Sequence, residues 1–205
     1  YSGQESTLAH YLLEQAQQMG LYARIDDVGN FIASTHPNAL EAGIERRRRE
    51  GSLIVDGNLD QQPIILLGHM DTVRGGVPVK LQDGVLYGRG AVDAKGPLAA
   101  FLCATARLVA GSESPGSFGH PIIVIGAVEE ESATSRGARA VVERYQPLAC
   151  IIGEPSGSNA VTIGYKGRLL VEYCVTRPVS HSAGPQQNSS EVAVAFWNRV
   201  CNHAD

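Results

Sequence analysis

Residues 64–97 read IILLGHMDTVRGGVPVKLQDGVLYGRGAVDAKGP. Ile64 to Leu67 is an apolar run bounded by Gln61, Gln62 and Gly68, the pattern of a buried strand. Its end delivers His69 and Asp71 to the edge where open α/β sheets bind ligands, beyond the carboxyl ends of their strands. A second turn rich in glycine, Tyr87-Gly88-Arg89-Gly90, leads to Asp93. Lys95 to Ala110, rich in Ala and Leu, then reads as a helix. A neutral imidazole and carboxylates are suitable zinc ligands. Taken alone, one His and two Asp serve equally well as caps and hydrogen-bonding groups of polar loops.

Working outward from this stretch, Ser6 to Met19 has helical spacing and Gly20 is a natural stop. Val28 to Ala33 reads as a strand bent at Gly29. Residues 36–60 carry Arg46-Arg47-Arg48-Arg49 between Glu45 and Glu50. In an acidic chain that run reads as an exposed insertion rather than a nucleic-acid patch. Downstream, Pro121 to Val128 is another apolar strand and ends in Glu129-Glu130-Glu131. Three adjacent carboxylates repel one another unless they are exposed or gathered around a cation; the plain alternative is a solvated helix entrance, where acids favour the dipole. Arg136 to Tyr145 reads as a helix, and Leu148 to Ile152 as a third strand ending in Gly153-Glu154-Pro155-Ser156. Three apolar strands thus end in imidazole or carboxylate, and a further turn adds Asp93. Their alternation with helices predicts an α/β fold, a mostly parallel sheet with helices on both faces.

Composition bounds the rest. The chain has 205 residues, 43% of them hydrophobic, a net charge of −4 and a pI near 5.9, which argues against a nucleic-acid surface. No stretch approaches about 18 consecutive apolar residues, so no membrane span is expected. Cys103, Cys150, Cys174 and Cys201 show no paired spacing. They read as buried free thiols of a reducing, cytoplasmic compartment. The chain does not begin with Met and reads as a piece of a longer protein.

The order of motifs resembles the dinuclear zinc family of acetylornithine deacetylase, succinyl-diaminopimelate desuccinylase, aminoacylase and glutamate carboxypeptidase. Gly68-His69-Met70-Asp71-Thr72-Val73 is similar to its first motif and Tyr87 to Gly96 to its second. The acidic triplet and Gly153 to Ser156 are similar to the third and fourth. Pro97 to Phe101 and Gly164-Tyr165-Lys166-Gly167-Arg168 look most like the acetyl-lysine deacetylase branch. The resemblance implies a metal-dependent amidohydrolase of amino-acid biosynthesis. Its substrate would be an N-acylated lysine or ornithine, as a small molecule or linked to an amino-group carrier protein, and the enzyme would be a homodimer. A desuccinylase or an amino- or carboxypeptidase is the alternative within the family. A carrier-binding or dimerisation module that keeps the fold without chemistry is the alternative outside catalysis.

The resemblance also implies roles. Two zinc ions, or cobalt in their place, share a bridging carboxylate and a water, polarise the scissile carbonyl and acidify the water. Asp93 would be the bridge, His69 and Glu154 would complete one metal, and Glu131 would serve the other. Asp71 would orient His69 from behind, and Glu130 would be the general base. A shift by one residue, with Glu129 as base and Glu130 as ligand, stays open. Residues 1–165 would form the first part of a catalytic domain and 166–205 the start of a lid and dimerisation domain. In the latter, Arg168 to Thr176 reads as an antiparallel strand and a helix runs from Ser189, its N-cap, to Val200. His181 is similar to the family's lid histidine, which steadies the oxyanion, although Ser180 stands where relatives carry Gly. The family's last His ligand has no counterpart among His10, His36, His120 and His203, so the second metal site would be incomplete and the chain poorly active alone. A nucleotide-binding domain is disfavoured: Gly88-Arg89-Gly90 lacks the full glycine fingerprint, and Asp93 would repel phosphate.

Overall fold

The computed structural model describes residues 1–40, 62–112, 119–157, 159–164, 167, 171–179, 184 and 186–203. They form two compact units, Tyr1–Asn159 and Ala160–Asp205. The first contains helix α1 (Ser6–Gln18), strands β1 (Tyr22–Ile25), β2 (Phe31–Ser34), β3 (Ile64–His69), β4 (Lys80–Gln82) and β5 (Val85–Tyr87). It continues with α2 (Lys95–Ala110), β6 (Ile122–Ala127), α3 (Arg136–Arg144) and β7 (Ala149–Ile152). Five strands make one sheet in the order β1-β2-β6-β3-β7.

The sheet is mixed. β6, β3 and β7 run parallel, whereas β1 and β2 add antiparallel strands beside β6. What was expected as one strand bent at Gly29 is the hairpin β1–β2; Gly29 has φ +100° and Asp26 closes the turn by accepting from the Gly29 N–H. Alternate residues of the central strands face opposite layers. Phe31, Ala33 and Val124 pack with α1 and α2 through Ala9, Leu12, Ala16, Leu98 and Leu102. Ile32, Ile123 and Ile125 pack on the other face with Val141 and Tyr145 of the α3 region.

α1 ends in a Schellman motif. Leu21 N–H donates to the Ala16 carbonyl and Gly20 N–H to that of Gln17, each at 3.0 Å, with Gly20 at φ +81°. α2 buries Leu98, Leu102, Thr105 and Ala106, the stripe expected of a helix lying on a sheet. It lies so close that a Cβ on Gly126 would stand 2.9 Å from Met70 Cγ and 3.0 Å from Leu98 Cδ2. Strands β4 and β5 form a separate exposed hairpin. Its Asp83-Gly84 turn has both residues at positive φ, the chemistry of a two-residue hairpin.

Among its described residues the second unit has one helix, α4 (Ser189–His203). Its cap is Asn188 rather than the expected Ser189. Asn188 Oδ1 accepts from Glu191 N–H at 3.0 Å and Asn188 N–H donates to Glu191 Oε2 at 2.8 Å, a reciprocal capping box. Tyr173 stacks on Phe196 with ring centroids 4.0 Å apart. Residues 171–176 carry no strand, contrary to expectation; among the described residues no neighbouring strand is available to accept their backbone hydrogen bonds.

The four cysteines are free but exposed, which corrects the expectation that they are buried. Cys150 lies on β7, which pairs with β3 on one side, and Cys103 faces away from the buried stripe of α2. Among the described residues no helix is long and apolar enough to cross a membrane.

Candidate metal centre

The register of three parallel strands assembles the site. Ile64 pairs with Ile122 and with Ala149, and the pairing continues to His69 opposite Ala127 and Leu67 opposite Ile152. Met70 N–H donates to Ala127 O at 2.9 Å and Gly153 N–H to Leu67 O at 2.7 Å. His69, the acidic triplet and Glu154 therefore leave the sheet side by side at its carboxyl edge. Asp93 arrives from the turn before α2, where Ala91 N–H bonds Gly88 O and Lys95 N–H bonds Gly90 O.

His69 is the hub. It is 1% exposed, and its Nε2 lies 2.9 Å from Asp93 Oδ1, 3.6 Å from Glu154 Oε1 and 3.9 Å from Glu130 Oε2. Its Nδ1 makes a 3.1 Å hydrogen bond with the main-chain carbonyl of Asp71, whose Oδ1 stands at 3.3 Å. A carbonyl only accepts, so Nδ1 donates and Nε2 is the atom turned to the carboxylates. Among the described residues, two sets bring one donor atom from each member within 4.8 Å of the others: His69, Asp93 and Glu131, and His69, Glu130 and Glu154.

The acidic triplet splits by direction. Glu129 has φ +57° and turns away: Thr134 Oγ1 donates to its Oε2 at 2.7 Å and Arg136 Nε lies 3.3 Å from its Oε1. Glu130 and Glu131 face His69. Their main-chain N–H groups donate to the two carboxylate oxygens of Asp71, at 3.1 and 3.0 Å. Asp71 is fully buried, and its carboxylate is occupied mainly by this acidic turn, while its carbonyl holds the imidazole.

Charge is out of balance at the centre. Among the described residues no Lys or Arg pairs with Asp93, Glu130, Glu131 or Glu154. Burial pushes the Glu130 carboxyl above its ordinary range, and the charges of Glu131, Asp71 and Asp93 add to this against His69. Burial also raises Glu154, with Glu130, Asp93 and Glu131 adding to it against His69. For His69, burial acts to lower the imidazole, but Glu154, Asp93, Glu130 and Asp71 outweigh it and hold it above its ordinary value. Burial draws Lys95 below the ordinary lysine range, opposed by Asp71 and Glu5. A cluster of hard oxygen donors around one imidazole nitrogen, short of positive charge, fits divalent metal.

Of the site residues expected from sequence, His69, Asp71, Asp93, Glu130, Glu131 and Glu154 are gathered here. His181, Ser180 and the Arg46–Arg49 run lie outside the described residues. Three contributors were not legible. Asn30, fully buried, accepts from Val128 N–H and donates to Asp26 and to the Gly137 carbonyl. Ser2 and Glu5 reach the site across 69 and 124 residues. Both lie outside every element and motif read from the sequence.

The family model of peptidase family M20/M25/M40 matches residues 65–204. The LysW-lysine hydrolase of Deinococcus radiodurans is 37% identical over 200 residues, which are 97% of this chain and 48% of that protein. A Pyrococcus furiosus protein with the provisional name LysW-lysine/LysW-ornithine hydrolase is 41% identical over 182 residues, 89% of this chain and 45% of its own. The chain thus spans about half the length of the curated relatives it matches. A solved tripeptidase from Staphylococcus aureus shares the α/β fold, with a TM-score of 0.52 at 22% identity over 76% of this chain and 39% of that one. With its motif-bearing strand ends inside the matched span, the chain belongs to peptidase family M20/M25/M40.

Proposed function

We propose that this chain carries most of the metal centre of an amidohydrolase that frees lysine or ornithine from an N-acylated form. By analogy with the names of its relatives, the blocked amino acid is attached to a carrier protein of the LysW type. The observation that carries the reading is the convergence of Asp93, Glu154, Glu130 and Glu131 on the imidazole of one buried histidine. In this reading His69, Asp93 and Glu154 would hold one zinc, and Glu131 together with Asp93 would serve a second. When bound, the metal pair supplies Lewis acidity, polarising the scissile carbonyl and lowering the pKa of a water. Glu130 is the general base: it takes the proton of the attacking water and returns it to the leaving amine. Its raised pKa suits that exchange. The engagement of Glu129 by Thr134 and Arg136 favours Glu130 and Glu131 over the alternative pair. Asp71 fixes both the imidazole and the acidic turn. His181 as oxyanion donor, the division into a catalytic and a lid domain near residue 165, a homodimer and a cytoplasmic location belong to the same proposal.

The test is metal analysis of the full-length protein with an amidase screen. Substrates are N-acetyl-lysine, N-acetyl-ornithine, N-succinyl-diaminopimelate and lysine linked to a carrier protein. Zinc-dependent release of lysine or ornithine from the carrier-linked form is the expected result. Preference for the succinyl substrate would overturn the assignment.

A further inference from the structure

Two contacts at the back of the metal centre come from residues outside every motif. Ser2 Oγ donates to Asp71 Oδ2 at 2.6 Å, and Glu5 Oε1 accepts from the Glu129 N–H at 3.0 Å. Ser2 sits in a turn closed by Gln4 N–H to the Tyr1 carbonyl at 2.9 Å, with Gly3 at φ +77°. Glu5 directly precedes α1 yet makes no cap for it. Instead it is 6% exposed and turned inward to the acidic triplet. The carboxylate of Asp71 accepts three donors: Ser2 Oγ and the N–H groups of Glu130 and Glu131. The left-handed backbone of Glu129 is the point where the chain turns these two N–H groups toward Asp71. A non-glycine residue keeps that conformation only where its surroundings over-determine it.

We infer that residues 1–5 form a latch on the acidic turn 129–131, with Ser2 and Glu5 as positioning residues. Ser2 acts through Asp71 by fixing which way its carboxylate faces. Glu5 acts directly, holding the N–H of the strained residue before Glu130 and Glu131. Each is a charge-assisted or carboxylate-accepted hydrogen bond in a partly buried setting, the kind whose loss is felt locally. The inference rests on the proposed roles of Glu130 and Glu131 only for its effect on rate. The latch itself is built from protein groups alone.

The full-length protein with Ser2→Ala, Ser2→Thr, Glu5→Ala and Glu5→Gln tests this. Amide hydrogen exchange of the metal-free protein, read by mass spectrometry, reports on residues 128–132 against β3 and β6. Ser2→Ala and Glu5→Ala are expected to speed exchange in the acidic turn roughly ten-fold while the strands keep their protection. Ser2→Thr and Glu5→Gln, which keep a hydroxyl and an acceptor oxygen, return it to within about two-fold of the parent. Zinc affinity by chelator competition falls in step, by about ten-fold for the alanine variants. With N-acetyl-ornithine or carrier-linked lysine as substrate, kcat falls with KM nearly unchanged, because the turn and not the substrate pocket is disturbed. Unchanged exchange and zinc affinity in both alanine variants would overturn the latch. So would uniform acceleration over turn and strands, or conservative variants as fast as alanine. Exchange and zinc results as expected in a protein that hydrolyses neither substrate would uphold the latch and reject the proposed activity.

Discussion

At the scale of single residues, the centre turns on one imidazole whose outer nitrogen faces carboxylates and whose inner nitrogen is tied to Asp71. Glu130 and Glu131, neighbours in sequence, are predicted to behave differently. In the full-length protein, Glu130→Gln should keep the zinc content and slow turnover by about 100-fold or more. Glu131→Gln should lower zinc stoichiometry directly, and metal analysis beside steady-state rates separates the two. A Glu129→Gln variant that abolishes turnover while Glu131→Gln is harmless would shift the assignment by one residue. Protons compete with metal at this site. The proposed ligands His69 and Glu154 hold their protons more tightly than ordinary side chains of their kind, and a bound metal would have to displace them. Zinc affinity by chelator competition should therefore fall as pH is lowered, beginning above the ordinary imidazole range, and level off on the alkaline side. A flat profile between about pH 5.5 and 8.5 would contradict this charge balance. His69, the acidic triplet and Glu154 were legible because each follows an apolar run that reads as a strand, and Asp93 because it follows a glycine-rich turn that leads into a helix. Which two of three glutamates face inward was not, because it depends on the positive φ of Glu129, and no periodicity reports a backbone dihedral.

At the scale of elements, the site exists because β3, β6 and β7 share a register, and Asn30 ties the end of β6 to both the β1–β2 turn and the start of α3. It holds Asp26 on one side, the Val128 N–H in the middle and the Gly137 carbonyl on the other. Asn30→Ala would leave these buried groups unpaired, at a cost of about 2–4 kcal/mol, read from denaturant midpoints at constant m-value. Gly137→Ala should cost as much by a different route. A Cβ there would meet Asn30 Oδ1 and, at 2.5 and 2.6 Å, Val128 N and O; backbone cannot yield as a side chain would. Loss of less than about 1 kcal/mol in both variants would contradict this account of the strand end. The parallel strands and α1 to α3 were legible from apolar runs and helical spacing. The β1–β2 hairpin was not, because a single Gly29 marks a kink as well as it marks a turn. The cap of α4 was misplaced by one residue because Asn188 and Ser189 are both good caps, and only the Glu191 partnership separates them. The Asn30 tie spans 98 and 107 residues, a distance over which local pattern carries no information.

At the scale of the whole molecule, a chain of net charge −4 concentrates four carboxylates around one buried histidine at the carboxyl edge of an α/β sheet. That arrangement costs stability unless a cation joins it. The reading from sequence reached this point because motif order is global information carried by local residues. It overreached at residues 171–176, where alternation suggests a strand but alternation alone provides no partner to pair with. The central claim is that the first metal lies on His69 Nε2 with Asp93 and Glu154. Crystals of the zinc-loaded full-length protein, measured on both sides of the zinc absorption edge, test it most directly. The account predicts an anomalous peak about 2.0–2.2 Å from His69 Nε2 and from an oxygen each of Asp93 and Glu154. Fully loaded crystals whose anomalous density lies away from His69 would contradict it.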